Sequence, residues 1–204
     1  MAVIVFDIGK VIVPEGDRVQ RLVGFLRKHH VEVGVTELME GYWAYRDEYD
    51  LGLPDEEYWP KVLGRAGATY DAESLDVIAL GRLDGQRNAT ADVGVEKLLS
   101  ELDAAGHNLG LLSNAPVSMV EAVRESEWGR PIRVKIFSSE VGVAKPDRRI
   151  YEIAERELSQ EFAGYERSEV HFFDDREVNV EAAREFGWNA HLWAGEEAAR
   201  RAVN

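Results

Sequence analysis

The segment MAVIVFDIGKVIVP, residues 1–14, contains the strongest indication of the fold class. Five consecutive apolar residues, Ala2–Phe6, predict a strand buried on both faces, which is typical of a parallel sheet. Asp7 follows this strand directly, and open α/β sheets bind their ligands beyond the carboxyl ends of the strands. Asp7 is therefore a candidate reactive group, although aspartate is also common in turns and helix caps. This stretch alone leaves both interpretations open.

The composition is that of an ordinary globular protein. Of the 204 residues, 45% are hydrophobic and 30% are charged, which is ample for a packed core. With 38 acidic and 24 basic residues the formal net charge is −14, which disfavours nucleic acid as a partner. Cysteine is absent, so disulfides and thiolate chemistry are excluded. No apolar stretch approaches the ~20 residues that span a bilayer, and no basic segment of the signal-peptide kind begins the chain. We therefore expect a cytoplasmic protein with no membrane partner.

The periodicity of the chain changes near residue 88. Up to that point apolar residues recur at helical spacing, with a fourth helix predicted over 71–82 and no clear strand between the helices. Beyond it helices alternate with four apolar strands, around Leu109, Val134, Val170 and Ala190. Such alternation predicts a parallel sheet with right-handed crossovers.

These patterns together predict an α/β protein with a Rossmann-like parallel sheet and helices on both of its faces. We expect residues 1–14 and 88–204 to form this core. Residues 15–87 are predicted to form a small, all-helical subdomain inserted into this core.

Polar residues follow the predicted strands, and parallel strands bring their carboxyl ends to one edge of the sheet. They are Asp7, Ser113 with Asn114, Lys145, and Asp174 with Asp175. Three carboxylates in one place repel one another unless a cation neutralises them, and oxygen ligands without His or Cys suit Mg²⁺. Hydrogen-bond donors, a lysine and a carboxylate nucleophile complete the groups that phosphoryl transfer needs. Taken singly, the acids and Ser113 also fit helix caps, and Lys145 fits a solvated loop charge.

The order of these motifs resembles the haloacid dehalogenase superfamily over nearly the whole chain. The resemblance rests on Phe6–Val11, Leu112–Asn114, Lys145–Asp147, and Phe173–Asp175 with Asn179. Within that family it is to small bacterial sugar-phosphate phosphatases of the α-D-glucose-1-phosphate phosphatase type. It implies a sheet whose strands lie in the order Val134, Leu109, Val3, Val170, Ala190, and a helical cap.

The resemblance also implies roles for the motif residues. Asp7 is the expected nucleophile, forming an aspartyl-phosphate, and Lys145 supplies a fixed positive charge. Mg²⁺ is the expected cofactor, held by Asp7, the Gly9 carbonyl, Asp174 and Asp175, with Asp175 the direct ligand of the acidic pair. Ser113 and Asn114 are expected to bind phosphate.

The cap is expected to select a small phosphorylated metabolite. Arg46 and an aromatic face, from Trp43, Tyr42 or Tyr49, are candidates for contact with a sugar, although these residues also fit packing inside the cap. The chain is expected to be a monomer or a homodimer.

Gly9 departs from the family pattern, because most phosphatases of the family carry a second aspartate there as general acid and base. Lys10 is unusual as well. Two alternatives to the phosphatase therefore remain: a 2-haloacid dehalogenase-type hydrolase in which Asp7 attacks carbon, and a non-catalytic relative that binds a ligand or partner. The metal-binding acids argue against the first alternative, and Gly9 with Lys10 supports the second.

Overall fold

A parallel five-stranded sheet lies at the centre of the computed structural model, which describes residues 1–203. Its order is β3-β2-β1-β4-β5, and every pair of neighbours is parallel. The strands are β1 (Val3–Phe6), β2 (Asn108–Ser113), β3 (Val134–Phe137), β4 (Val170–Asp174) and β5 (Asn189–Leu192). The predicted α/β fold and strand order are confirmed.

Eleven α-helices accompany the sheet within residues 1–203, and the first five of them lie between β1 and β2 in the chain. These five are α1 (Arg18–Lys28), α2 (Val35–Ala44), α3 (Arg46–Asp50), α4 (Asp55–Arg65) and α5 (Val77–Gln86). The others are α6 (Val93–Ala104), α7 (Val117–Glu125), α8 (Ser138–Val141), α9 (Arg148–Glu161), α10 (Glu177–Phe186) and α11 (Glu196–Val203). Short 3₁₀ turns cover Arg87–Ala89 and Arg167–Glu169. Along this part of the chain no helix has both the length and the apolar character needed to cross a bilayer.

The strand β1 is apolar throughout because both of its faces are covered. Ile4 and Phe6 pack into the cluster that includes side chains of α6 and α7, whereas Val3 and Val5 pack into the cluster that includes α9 and α10. All four side chains are fully buried. The Asp7 N–H donates to the Phe173 carbonyl at 2.8 Å, so the backbone of Asp7 continues the pairing of β1 with β4. Asp7 therefore sits on a rigid support at the edge of the sheet.

Helices α1 to α5 have a hydrophobic core of their own. Its fully buried members lie between Leu22 and Leu80 and include Tyr42, Tyr49 and Trp59. The fifth helix begins at Val77, so the prediction of a helix over 71–82 is wrong in its limits. The reason is local: the Asp76 carboxylate accepts the Ala79 N–H at 2.9 Å as a helix cap, whereas Asp71 accepts the Glu73 N–H in a turn.

Helices α1 to α5 contact the helices around the sheet where α5 packs closely against α7. Gly85 allows this approach, since a Cβ placed there would lie 2.2 Å from the Ser118 carbonyl oxygen. Gly64 of α4 makes a contrast, because a Cβ there would meet no atom within 4 Å.

This contrast predicts opposite effects for the same substitution. Gly85→Ala is expected to lower the free energy of unfolding by about 1–3 kcal/mol, because α5 must move away from α7. Gly64→Ala is expected to raise it by roughly 0.5–1 kcal/mol through helix propensity. Urea denaturation of the two variants measures both effects, and equal stabilisation by both would contradict the close packing of α5 on α7.

Candidate active site

The ammonium group of Lys145 lies at the centre of the site. Its Nζ donates to Asp7 Oδ1 at 2.8 Å, to Asp174 Oδ2 at 2.6 Å and to the Leu112 carbonyl at 2.8 Å. Lys145 is buried, and so are Asp7 and Asp174. One cation thus joins groups from the ends of β1, β2 and β4. The predicted convergence of these strand ends is what the structure shows.

Both carboxylate oxygens of Asp174 accept hydrogen bonds from other groups of the protein. The Asn179 side-chain amide donates to its two carboxylate oxygens at 3.0 and 3.1 Å, and the Arg176 N–H donates to Oδ1 at 2.8 Å. With Lys145 added, both oxygens of Asp174 have donors within the protein. Asp174 therefore orients its neighbours, whereas the half-buried Asp175 faces the cavity.

Asn114 fixes the backbone around Lys145. Its side-chain Nδ2 donates to the Lys145 carbonyl at 2.9 Å, and its Oδ1 accepts the Lys145 N–H at 2.8 Å. Both polar atoms of this amide are thus engaged with the segment that carries the lysine. The neighbouring Ser113 is buried at the end of β2, and its nearby hydroxyl lowers the pKa of the Asp7 carboxyl.

The carboxylates form a site that fits a divalent cation. One oxygen from each of Asp7, Asp174 and Asp175 lies within 4.8 Å of the others. Burial raises the pKa of Asp7 to about 6, against the lowering effect of Lys145. Burial and the charge of Asp174 also raise the pKa of Asp175. Three acids with one lysine in contact leave negative charge uncompensated, and a donor set made of oxygen alone suits Mg²⁺.

Gly9 and Lys10 lie in a turn that begins two residues after Asp7. Lys10 adopts the left-handed conformation, with φ of 60°, and its N–H donates to the Val13 carbonyl at 2.8 Å. Its Nζ lies 3.7 Å from Glu15 Oε1 at the surface. Gly9 is not among the residues with positive φ, and a Cβ there would meet no atom within 4 Å. The local backbone therefore does not require glycine at position 9.

A cavity of about 470 Å³ is lined both by these groups and by residues of the helices α1 to α3. Asp7, Ser113, Asn114, Lys145 and Asp175 line it from the sheet. From the other side Trp43, Arg46, Asp47 and Arg18 line it. Two of the residues singled out in the sequence, Trp43 and Arg46, thus reach the same cavity as Asp7. Arg46 is also held by Asp50, whose Oδ1 accepts from its Nε at 2.7 Å.

The expectation that Tyr42 or Tyr49 covers the substrate is wrong. Both side chains are fully buried in the core of α1 to α5. The Tyr42 hydroxyl donates to Asp84 Oδ2 at 2.8 Å, and the Tyr49 ring stacks on Tyr58 with centroids 3.7 Å apart. Neither ring lines the cavity.

Two arginines that line the cavity, Arg18 and Arg87, were not predicted from the sequence. Arg18 begins α1, and Arg87 lies in the 3₁₀ turn after α5. Apolar periodicity says nothing about either, since both occupy polar positions. One signal was available: Arg87 stands at the predicted boundary between cap and core, where the chain crosses beside the site.

Comparison with known proteins identifies relatives of the chain. A family model described as haloacid dehalogenase-like hydrolase matches residues 1–187. No curated protein matches the chain.

Solved structures of the same fold cover nearly the whole chain. YfnB from Bacillus subtilis, bound to magnesium, is 12% identical with a TM-score of 0.71, over 100% of this chain and 98% of that one. The HAD family enzyme BT-2542 from Bacteroides thetaiotaomicron, in complex with magnesium and inorganic phosphate, is 15% identical with a TM-score of 0.65, over 94% and 93%. A dehalogenase is 18% identical with a TM-score of 0.59, over 93% and 83%. At these identities the likeness shows the fold.

The central position of Lys145 generates a stability prediction. Lys145→Met removes the cation between two buried carboxylates and is expected to lower the free energy of unfolding by about 3–5 kcal/mol in chelator. Lys97→Met is the control, since that side chain is 74% exposed, and its effect is expected to stay within about 0.5 kcal/mol. Urea unfolding compares them, and similar free energies for both variants would mean that Lys145 does not hold the acids together.

Proposed function

The chain belongs to the haloacid dehalogenase-like hydrolases, and we propose that it is a Mg²⁺-dependent phosphatase of a small phosphorylated metabolite. The observation that carries this proposal is the sharing of the Lys145 ammonium by Asp7 and Asp174, with Asp175 close beside them. This arrangement offers a fixed nucleophile, a buried positive charge and an oxygen-rich cation site within one cavity. These are the parts that phosphoryl transfer requires. The complexes of BT-2542 with magnesium and inorganic phosphate support the same chemistry.

Each residue has a proposed task. Mg²⁺, when bound by Asp7, Asp175 and the Gly9 carbonyl, offsets the negative charge of the phosphate. Lys145 orients the Asp7 carboxylate and adds positive charge where the phosphate oxygens gather. The Ser113 hydroxyl donates to the phosphate. Asn114 acts through the Lys145 backbone, because both of its polar side-chain atoms are engaged there.

The reaction proceeds in two displacements. A carboxylate oxygen of Asp7 attacks phosphorus, the bond from phosphorus to the ester oxygen breaks, and the leaving oxygen then takes up a proton from water. Water then attacks the phosphorus of the aspartyl-phosphate, which releases inorganic phosphate and restores the Asp7 carboxylate. Burial of Asp7 favours the first step, since the carboxylate that attacks is not shielded by bulk water.

The two alternatives account for less of the site. A dehalogenase in which Asp7 attacks carbon has no use for Asp175 as a cation ligand, although a dehalogenase is among the proteins of the same fold. A non-catalytic relative has no use for the costly burial of Lys145 between two acids. Phosphatase chemistry uses all of these groups.

Asp7→Asn tests the nucleophile with almost no change of shape. Mg²⁺-dependent hydrolysis of p-nitrophenyl phosphate is expected to fall on the order of 10³-fold or more, because the amide does not attack phosphorus. Asp103→Asn, an exposed substitution in α6, is the control and is expected to keep full activity. Chelator is expected to remove the activity of both the control and the parent chain. Near-normal turnover by Asp7→Asn would assign the nucleophile elsewhere.

The absence of an acid at position 9 predicts how the rate depends on the leaving group. Without a proton donor there, alkyl phosphates are expected to react much more slowly than aryl phosphates, since general acid help is commonly worth about 10²–10⁴-fold. Gly9→Asp is expected to flatten this dependence on leaving-group pKa by accelerating the alkyl esters. The Cβ of the new side chain would meet no atom within 4 Å.

Gly9→Asn is the matched control, because it fills the same space without an acid and is expected to keep the steep dependence. The measurement is kcat/KM for a series of alkyl and aryl phosphates with each chain. A flat dependence in the parent chain would show that another group donates the proton, with Asp47, which lines the cavity, as the first candidate.

A further inference from the structure

We propose that the substrate carries a second anionic group, a carboxylate or a second phosphate, on the part of the molecule that leaves, and that Arg18 and Arg87 bind this group. The inference deepens the proposed phosphatase function and rests on it. Both arginines line the same cavity as Asp7 and Lys145. They belong to α1 and to the turn after α5, so they act from the side that faces the sheet edge.

Arg87 is a buried cation without a counter-ion. Its side chain is buried, and its one hydrogen bond is to the Pro14 carbonyl. Among residues 1–203 no carboxylate lies within ion-pair distance of its guanidinium, whereas most other buried cations of this chain are paired. Burial lowers the pKa of Arg87, and the nearby charge of Arg18 lowers it further. A bound anion would supply the missing charge.

The position of the Arg87 guanidinium is fixed by the backbone around it. Gly16 has φ of 55°, and a Cβ there would lie 3.4 Å from Arg87 Nε, so the guanidinium packs directly over this glycine. The adjacent Asn88 is held at both ends: its Nδ2 donates to the Gly85 carbonyl at 3.0 Å, and its own carbonyl accepts Trp128 Nε1 at 3.2 Å. A guanidinium has several N–H donors, and a single one of Arg87 is engaged. The remaining donors are available to a ligand in the cavity.

The charges near Arg87 do not neutralise it. Arg18 pairs with Asp84 at 3.1 Å, and Arg46 pairs with Asp50 at 2.7 Å and lies 3.8 Å from the same Asp84. Asp84 and Asp50 are therefore paired with Arg18 and Arg46, and neither carboxylate pairs with Arg87. Two nitrogens of Arg46, Nε and Nη1, donate to Asp50 and to the Tyr42 hydroxyl, whereas the buried Nε of Arg18 has no hydrogen-bond partner. Arg18 and Arg87 thus retain more hydrogen-bonding capacity for an oxyanion than Arg46 does.

Charge and size together indicate a small dianionic metabolite. The overall charge of −14 works against added negative charge on a ligand, so any preference for it must come from local groups. The cavity of about 470 Å³ is near the lower end of the range for ligand pockets, roughly 300–1,000 Å³. A forked guanidinium suits both carboxylate and phosphate oxygens.

Three compounds with one carbon skeleton test the proposal. Calorimetry in Mg²⁺ on the Asp7→Asn chain, which does not turn the compounds over, compares 3-phosphoglycerate, glycerol 1,3-bisphosphate and glycerol 3-phosphate. 3-Phosphoglycerate and glycerol 1,3-bisphosphate each carry a second anionic group. Each is expected to bind with a Kd about tenfold or more below that of glycerol 3-phosphate. Tighter binding of one of them alone identifies that group as carboxylate or phosphate.

Variants locate the effect. Arg87→Gln and Arg18→Gln, each in the Asp7→Asn chain, are expected to reduce the preference to about twofold or less. Arg130→Gln is the control, because that arginine is 70% exposed and pairs with Glu127 away from the cavity, and it is expected to keep the preference. Arg87→Lys retains the charge and is expected to keep part of the preference, which also covers the case in which Arg87→Gln fails to fold.

Equal affinity for the three compounds in the Asp7→Asn chain would overturn the proposal, as would a preference that survives removal of both arginines. Phosphate release by the unmodified chain tests the phosphatase function separately from the anion site. Selective binding without phosphate release from any compound would contradict the phosphatase and leave the anion site standing. Phosphate release without selectivity would contradict the anion site alone.

Discussion

The rest of the site depends on the contact between the buried ammonium of Lys145 and the carboxylates of Asp7 and Asp174. Taking a lysine and two acids out of water is costly, and this cost is offset when the groups neutralise one another and make further hydrogen bonds. Here those bonds come from the Leu112 carbonyl, the Asn179 amide and the Arg176 N–H. The contact joins the ends of β1, β2 and β4 and fixes the direction of the Asp7 carboxylate.

Two layers of the molecule contribute opposite charges to one cavity. The sheet edge supplies acids around a single lysine, whereas the opposite side of the cavity supplies three arginines, of which Arg18 and Arg46 pair with carboxylates and Arg87 does not. A phosphorylated metabolite with Mg²⁺ fits the first set, and an anionic leaving group fits the second. Under the proposed function, the chemistry of the reaction and the choice of substrate come from separate parts of the chain, joined at the crossings near Pro14 and Arg87.

Much of the fold and of the catalytic edge was predictable from the sequence for a physical reason. A strand covered on both faces must be apolar throughout, so β1 is recognisable in the sequence as a continuous apolar run. The residue after such a strand lies at the sheet edge. Four strand ends with polar residues therefore indicated Asp7, Ser113, Lys145 and the Asp174–Asp175 pair. The role of Asn114 was not predictable, because its side chain contacts the backbone of Lys145, which is distant in the sequence.

The cap was less predictable because its arrangement depends on packing rather than on periodicity. Aromatic residues at helical spacing look alike in a sequence, yet Tyr42 and Tyr49 are buried whereas Trp43 is 55% exposed and lines the cavity. Arg18 and Arg87 are polar residues of the kind found at any surface. Their proximity to the site follows from how α1 and α5 pack, which no local pattern encodes.

The central claim is that Asp7 carries the phosphoryl group during turnover. Acid quenching of the chain during steady-state hydrolysis of p-nitrophenyl phosphate with Mg²⁺, followed by peptide mass spectrometry, tests it directly. A mass increase of one phosphoryl group on the peptide that contains Asp7, absent from the Asp7→Asn chain, is the predicted result. Turnover with a phosphoryl group on another residue, or with none on any peptide, would contradict the claim.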